Sequence, residues 1–363
     1  MTAPAGQAAL LAMARRTLGA AAPGALVSGS GGAPMDVARD ERDAARLSPA
    51  RVVEEDSVRA HPVTGAPDSP FAAFLDGIQR TERVGYLEGA PIVLGTVAAV
   101  VRERRGGRLR TWAGGFARET RLYLPLARVP REVAAQLSAA GFALADTLAD
   151  TLAAKHMPTR GATRGAERGA TRGAERESRG DMPADGEEDH HPLELERAAF
   201  NAIREHRGAM ERRLADAWVE RGAGMLFVDG PLPGDAASRS HDVVGVVKSH
   251  RELQVAGDAL RLVLALRPAE RSSVLARTSA TRVSVATWYL RLRDPAGHHP
   301  LWGLVRVEAA LVPGEQAGAL AARADAVSRM VLAESRPLAL PDSRWDVMAY
   351  PIRDCEEFLR ASL

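Results

Sequence analysis

A chain of 363 residues is long enough for one large domain or two ordinary ones. Apolar residues make up 46% and aromatics only 4%, so a core must be built mainly from Ala, Leu and Val; a formal net charge of +2 is too small an excess to argue by itself for nucleic-acid binding, which needs clustered charge. The single cysteine, Cys355, excludes an intrachain disulfide and a multi-cysteine zinc site.

The N-terminal stretch MTAPAGQAALLAMARRTLGAAAPGAL carries its arginine pair after the apolar residues, the wrong order for a secretory signal. Residues 1–19 read as a short helix with Leu10, Leu11, Met13, Ala14 and Leu18 on one face. Residues 20–66 are rich in Gly, Ala and Pro, with one more helix expected around 37–46. Residues 1–66 are therefore expected to be an N-terminal extension with short helices, partly flexible. A helix-to-strand transition is expected in PFAAFLDGIQRTERVGYLEGAPIVLGTVAAVVRER, where PIVLGTVAAVV reads as a strand buried on both faces. The longest apolar run, APIVLGTVAAVV, is far short of the roughly 20 residues of a membrane span. The expectation is a soluble cytoplasmic protein with no membrane association.

Gly106-Gly107 between strand-like runs reads as a hairpin turn. It carries Arg102, Arg104, Arg105, Arg108 and Arg110 and is the best basic patch in the chain. It is either a solvated turn or a device that positions phosphates, with Arg104, Arg105 and Arg108 as the candidate contacts. Residues 131–155 look helical. GATRGAER then occurs in tandem at 161–168 and 169–176, and a repeat so poor in large apolar groups cannot order itself. Residues 157–191 are expected to form a disordered insertion within a domain spanning 67–363.

After it, PLELERAAFNAIREHRGAMERRLADAWVERG reads as one strong helix with Phe200, Ile203, Met210, Leu214 and Ala217 in its stripe. The strand MLFVDG follows, then the strand-like DVVGVVKSH, a helix around 256–265, strands in RVSVATWYLRLRD and LWGLVRVEAALV, and helices at 314–334 and 353–361. This order predicts an α/β fold around one mixed sheet flanked by helices.

Two apolar runs stop at Asp-Gly: FAAFLDG at Asp76 and GMLFVDG at Asp229. Asp-Gly is a common turn after a strand. Two such strand tips side by side, with one acid from a packed helix, would instead form an all-oxygen site suited to Mg²⁺ or Mn²⁺. The helix before Asp229 offers Glu205, Glu211 and Glu220; Glu211 flanks the buried stripe, Glu205 faces solvent, and Glu220 opposes the helix dipole. His298-His299 and His190-His191 are adjacent pairs whose members point apart and do not chelate together. His250 could approach the site as an acid-base group. Of Trp288 and Tyr289, at most one is free to stack on unpaired bases, because the other faces the core.

Six segments in order, FLDGIQR, RGAMERRL, LFVDGPL, VVGVVKS, TWYLRL and AYPIRDCEEFLRASL, resemble the motifs of the NurA family across about residues 70–363. Members of that family are nucleases that partner the hexameric DNA translocase HerA. The resemblance implies an elaborated ribonuclease H-like fold and a Mn²⁺- (or Mg²⁺-) dependent nuclease on DNA ends, acting as a homodimer docked on a HerA-like ATPase ring. It implies Asp76, Glu211 and Asp229 as metal ligands, Lys248 near the site and able to meet a phosphate, and Tyr289 at the family's tyrosine position. Such pairs serve both double-strand-break repair and antiphage defence. Two positions depart from the pattern. Ile78 stands where serine is usual, and the last helix has no histidine, so that Glu356 or Glu357 could substitute as an oxygen ligand. The rival readings are a NurA-fold adaptor with a decayed site, and a simple DNA-binding protein that uses the arginine hairpin.

Overall fold

A computed structural model describes residues 6–27, 45–148, 191–222, 224–233, 239–278, 284–335 and 345–363. Nearly all of the helix expected around 37–46, the GATRGAER repeats, and all but His191 of the insertion expected at 157–191 lie outside the described residues.

The first helix forms as α1 (Gln7–Ala21). Four short strands follow: β1 (Leu26–Val27), β2 (Arg46–Leu47), β3 (Arg51–Val52) and β4 (Ala60–Pro62). They lead into a long antiparallel meander of β5 (Ala73–Leu87), β6 (Ala90–Arg105) and β7 (Arg108–Leu124). Residues 90–101 of β6 are buried at every position, as a run apolar on both faces requires. Gly106 and Gly107 have φ of 55° and 73°, the left-handed pair that a two-residue hairpin needs, and Arg105 pairs with Arg108 across it.

Two expectations fail here. Residues 67–72, directly before β5, are not helical, and β5 does not end at Asp76: Gly77 is extended and paired with Ala99, and the strand runs eleven residues past Asp76 to Leu87. Of the helix expected over 131–155, the described residues form α2 (Arg131–Ala139), which Gly141, at φ 92°, ends before β8 (Ala143–Asp146); residues 149–155 lie outside the described residues.

Then come α3 (Pro192–Glu220), β9 (Leu226–Asp229), β10 (Val243–Val247), β11 (Glu252–Leu253), α4 (Gly257–Leu264), β12 (Glu270–Ser272), β13 (Leu275–Thr278), β14 (Ser284–Arg291), β15 (Leu304–Ala310), α5 (Ala317–Glu334) and α6 (Tyr350–Ser362). Among the described residues a thirteen-stranded mixed sheet has the path β3-β13-β14-β15-β10-β9-β5-β6-β7-β8. At its centre β5, β9 and β10 are parallel, while β5, β6 and β7 are antiparallel. Three of the four strands before residue 67 join this sheet, β1 on β5, β3 on β13 and β4 on β12, while β2 pairs with β11 in a separate two-stranded sheet.

Helices cover both faces. α3 packs Ala199, Ile203, Met210, Leu214, Ala215 and Trp218 onto Leu75, Val97 and Val228. Phe200 and Ala217, expected in that stripe, are only partly buried. On the other face α5 and α6 pack Leu320, Val327, Ile352, Cys355 and Leu359 against Phe74, Phe227, Val246 and Trp288. α1 and α2 close the far half of the meander over Val84, Ile92, Leu94 and Leu122. The centre of the sheet is therefore covered on both sides, and the polar groups within its strands, among them Asp76, Thr96, Thr287 and Glu308, are buried there. Among the described residues no helix is long and apolar enough to cross a membrane.

Candidate metal centre

The parallel pairing of β5 with β9 sets Leu75 beside Val228, so Asp76 and Asp229 come next in register on neighbouring strands. Both lie two residues beyond Phe74 and Phe227, which face α6, and so point to that face. Glu356 comes down from α6 onto the same spot. One carboxylate oxygen from each of Asp76, Asp229 and Glu356 lies within 4.8 Å of the other two. Asp76 and Glu356 are 8% and 7% exposed, and Asp229 is half-buried. Glu357, the other acid considered on this helix, is exposed and pairs with Arg353 at 2.8 Å.

Lys248, one residue past β10, places Nζ 3.0 Å from Asp229 Oδ1. Glu356 pairs with Arg360 at 3.1 Å. The Gly77 N–H donates to Asp76 Oδ1 at 2.8 Å. Burial, and then the neighbouring Asp229 charge, hold the Asp76 carboxyl well above the usual carboxylate range; Lys248 opposes this and Glu211 adds to it. The Cys355 thiol, buried behind Asp76, is pushed up by burial and contacts the Phe74 carbonyl oxygen at 3.6 Å.

Glu211 is not part of that trio. It arrives from α3 on the opposite face, above Gly77: a Cβ added at Gly77 would lie 2.2 Å from Glu211 Oε1. Gly77 is thus the opening through which a helix carboxylate approaches the strand that carries Asp76. Burial raises the Glu211 pKa; Arg207, 3.4 Å away, opposes this and Asp229 adds to it. Glu205 and Glu220 are exposed.

This donor set fits a hard divalent cation. Its ligand atoms are carboxylate oxygens, they converge within one ion's reach, and Asp76 feels a repulsion from Asp229, partly offset by Lys248, that a cation would relieve. Beside it a cleft of about 260 Å³ is walled by Lys248, Ser249, Val347, Met348, Ala349, Ile352 and Glu356.

Other candidates lie elsewhere. Tyr289 is fully buried, and its hydroxyl accepts the Gln254 N–H at 2.7 Å. It packs with Val255, Leu275 and Leu304 on the face opposite to Trp288, so the expected catalytic tyrosine does not reach the carboxylates. Trp288 is also core, its Nε1 bonded to Ser328 at 2.9 Å, so neither aromatic is free to stack on a base. His250 Nε2 bonds the Leu304 carbonyl oxygen at 2.8 Å, and burial lowers its pKa.

The arginine hairpin divides. Arg104 is bound to both Glu334 oxygens at 2.8 Å and lies 4.9 Å over the Phe74 ring, so it is a structural tie and not a phosphate contact. Arg105 is exposed and paired with Glu103 at 2.9 Å, and Arg108 is exposed at the tip. Val100 pairs with Asp76, so Arg105 lies five residues further along β6, about 17 Å away and toward the end of the sheet remote from Lys248. An Arg104→Ala variant is expected to lose about 2 kcal/mol of stability in denaturant melts, because it strands the buried Glu334 carboxylate.

The chain is thus a mixed α/β protein with an acidic, cation-ready cluster on adjacent central strands. No protein-family model matches it, and no curated protein does. Among solved structures, the NurA nuclease from Sulfolobus solfataricus superposes with a TM-score of 0.38 and 10% identity, covering 83% of this chain and 86% of that one. A likeness at that level assigns neither the chain's family nor its activity.

Proposed function

We propose that the chain is a divalent-metal-dependent nuclease that hydrolyses DNA phosphodiesters. The observation that carries this reading is the convergence of the Asp76, Asp229 and Glu356 carboxylates beside Lys248 on two adjacent parallel central strands. The order of motifs along the sequence supports it, as does a central sheet in which an antiparallel meander continues into parallel strands, the layout of a ribonuclease H-like reading.

Asp76, Asp229 and Glu356 would hold the metal, Mn²⁺ or Mg²⁺. Once bound, such an ion polarises a phosphoryl oxygen and lowers the pKa of water. Lys248 would leave Asp229 to meet a substrate phosphate as a point charge. Glu211, with its carboxyl raised by burial, offers a proton acceptor on the far side of the strand. The apolar packing of Phe74, Phe227 and Cys355 behind the acids excludes water from all but the cleft side. A HerA-like ring partner and a homodimer belong to this proposal on the sequence resemblance alone.

The adaptor reading is favoured by one observation: Asp229 and Glu356 each already have a cationic partner, in Lys248 and Arg360. End-labelled single- and double-stranded DNA incubated with Mn²⁺, Mg²⁺ or EDTA separates the two. Wild type should cut with metal only, and Asp229→Asn should cut at least about 100-fold more slowly, a loss no smaller than that from removing an outer partner of a metal ligand. Absence of cutting by folded protein under every condition, with the ring partner present, would leave the adaptor.

A further inference from the structure

Large apolar side chains are exposed at only six places among the described residues, and two of these, Trp345 at 39% and Tyr350 at 51%, flank the residues that wall the cleft beside the carboxylates. We propose that Trp345 and Tyr350 form a stacking track for unpaired bases of a single nucleic-acid strand whose phosphate lies at that carboxylate cluster. The inference rests on the nuclease reading and adds to it a base-binding surface.

Trp345 opens the short 3-10 turn Trp345–Val347 whose last residue enters the cleft wall, and Tyr350 begins α6 directly after Ala349 in that wall. The turn is fixed to the sheet, because the Gly303 N–H donates to Asp346 Oδ2 at 2.7 Å. Trp345 is also buttressed. Its ring meets Trp302 edge-on at 5.0 Å, and Trp302 carries the exposed His298 stacked at 4.2 Å with 11° between planes. The Arg293 guanidinium lies 5.8 Å from the Trp345 ring centre. Leu304, at the base of this loop, receives the His250 hydrogen bond, which places the loop at the Lys248 end of the sheet.

An exposed tryptophan buttressed by Trp302 and an exposed tyrosine at the start of α6, beside a cleft of mainly apolar wall with Lys248 at its edge, match a chain of flat bases joined by phosphates. Base–aromatic stacking is tolerant of sequence, and a charged backbone needs only point charges along the path. A duplex offers no free base face to such a surface. A protein partner covering the same aromatics is the competing occupant.

The test is fluorescence anisotropy in EDTA, where nothing is cut, with fluorescein-labelled (dT)12 and an abasic oligomer of equal length and charge. Wild type should bind (dT)12 at least about tenfold more tightly than the abasic strand. The Trp345→Ala/Tyr350→Ala double variant should lose that margin and bind the abasic strand as wild type does. Trp345→Phe, which keeps a ring, should stay within about threefold of wild type. Equal affinity of wild type for the two oligomers overturns the proposal without any variant, as does a double variant that binds (dT)12 normally. Base-dependent binding without metal-dependent cutting would sink the nuclease reading and leave the track. Metal-dependent cutting with base-blind binding would do the reverse.

Discussion

A Gly77→Ala variant is expected to fold and to lose at least tenfold of metal-dependent cleavage. Gly77 is extended and paired, so alanine meets no backbone penalty there. The obstacle is space alone, because the new methyl would occupy the position of the Glu211 carboxylate, 2.2 Å from Oε1. Glu211 must swing away, and the overpacking should cost about 1–3 kcal/mol. In a Glu211→Ala background the clash is gone. The same Gly77→Ala change should then be neutral or slightly stabilising, by up to about 1 kcal/mol from the reduced freedom of the unfolded chain. Cleavage should be no lower in the double variant than in Glu211→Ala, since Gly77→Ala acts only by displacing the carboxylate that Glu211→Ala already removes. Denaturant melts and cleavage rates for the four proteins of this cycle check the coupling. Additive losses would mean that Gly77 and Glu211 act separately.

Asp76→Asn should stabilise the metal-free protein and abolish its response to Mn²⁺. Burial and Asp229 raise the Asp76 pKa in the folded state. Between the ordinary carboxylate range and that raised value the folded protein binds a proton that the unfolded chain has released. Metal-free stability therefore falls as pH rises through this window. The amide removes the term, so the melting curves of variant and wild type should lie close together near pH 4 and separate toward pH 8, with the variant higher. A ligand at about 100 times its dissociation constant stabilises a one-site protein by about 2.7 kcal/mol. Wild type should show a gain of that order with Mn²⁺, and Asp76→Asn almost none. A variant less stable than wild type at pH 8 in EDTA would show that Asp76 is a satisfied ion-pair member and not a strained ligand. The two experiments read different features, one the geometry over Gly77 and the other the charge on Asp76.

Local pattern was enough for much of the architecture. Two-sided burial of β6, the Gly106-Gly107 hairpin and the helix of 29 residues before LFVDG were all legible, because periodicity and turn chemistry act over a few residues. Asp76 and Asp229 stood out because an acid ending an apolar run is locally conspicuous. The same local reading misjudged FLDG as a strand end, since nothing nearby reveals that Gly77 continues to pair with Ala99. It extended the helix at 131 past Gly141 for want of the β7–β8 pairing that claims the following residues. It could not choose between Glu356 and Glu357. They are neighbours in sequence, and which one faces the acids depends on how α6 rolls onto Phe74 and Phe227.

Arg104 reads in sequence as a cation of the hairpin patch and is tied to Glu334; of Trp288 and Tyr289 one is expected in the core and both are buried there, Trp288 bonded to Ser328. Trp345 sits in a stretch with no helical or strand period and Tyr350 opens α6 in AYPIRDCEEFLRASL; their exposure beside the cleft comes from tertiary packing. Element type follows from short-range sterics and side-chain alternation, and those are written in neighbouring residues. The meeting of three carboxylates from β5, β9 and α6, with the Glu211 carboxylate of α3 on the other face of β5, follows from register and from the packing of helices on two opposite faces. Those depend on contacts between residues as far apart as Asp76 and Glu356, which no local pattern encodes.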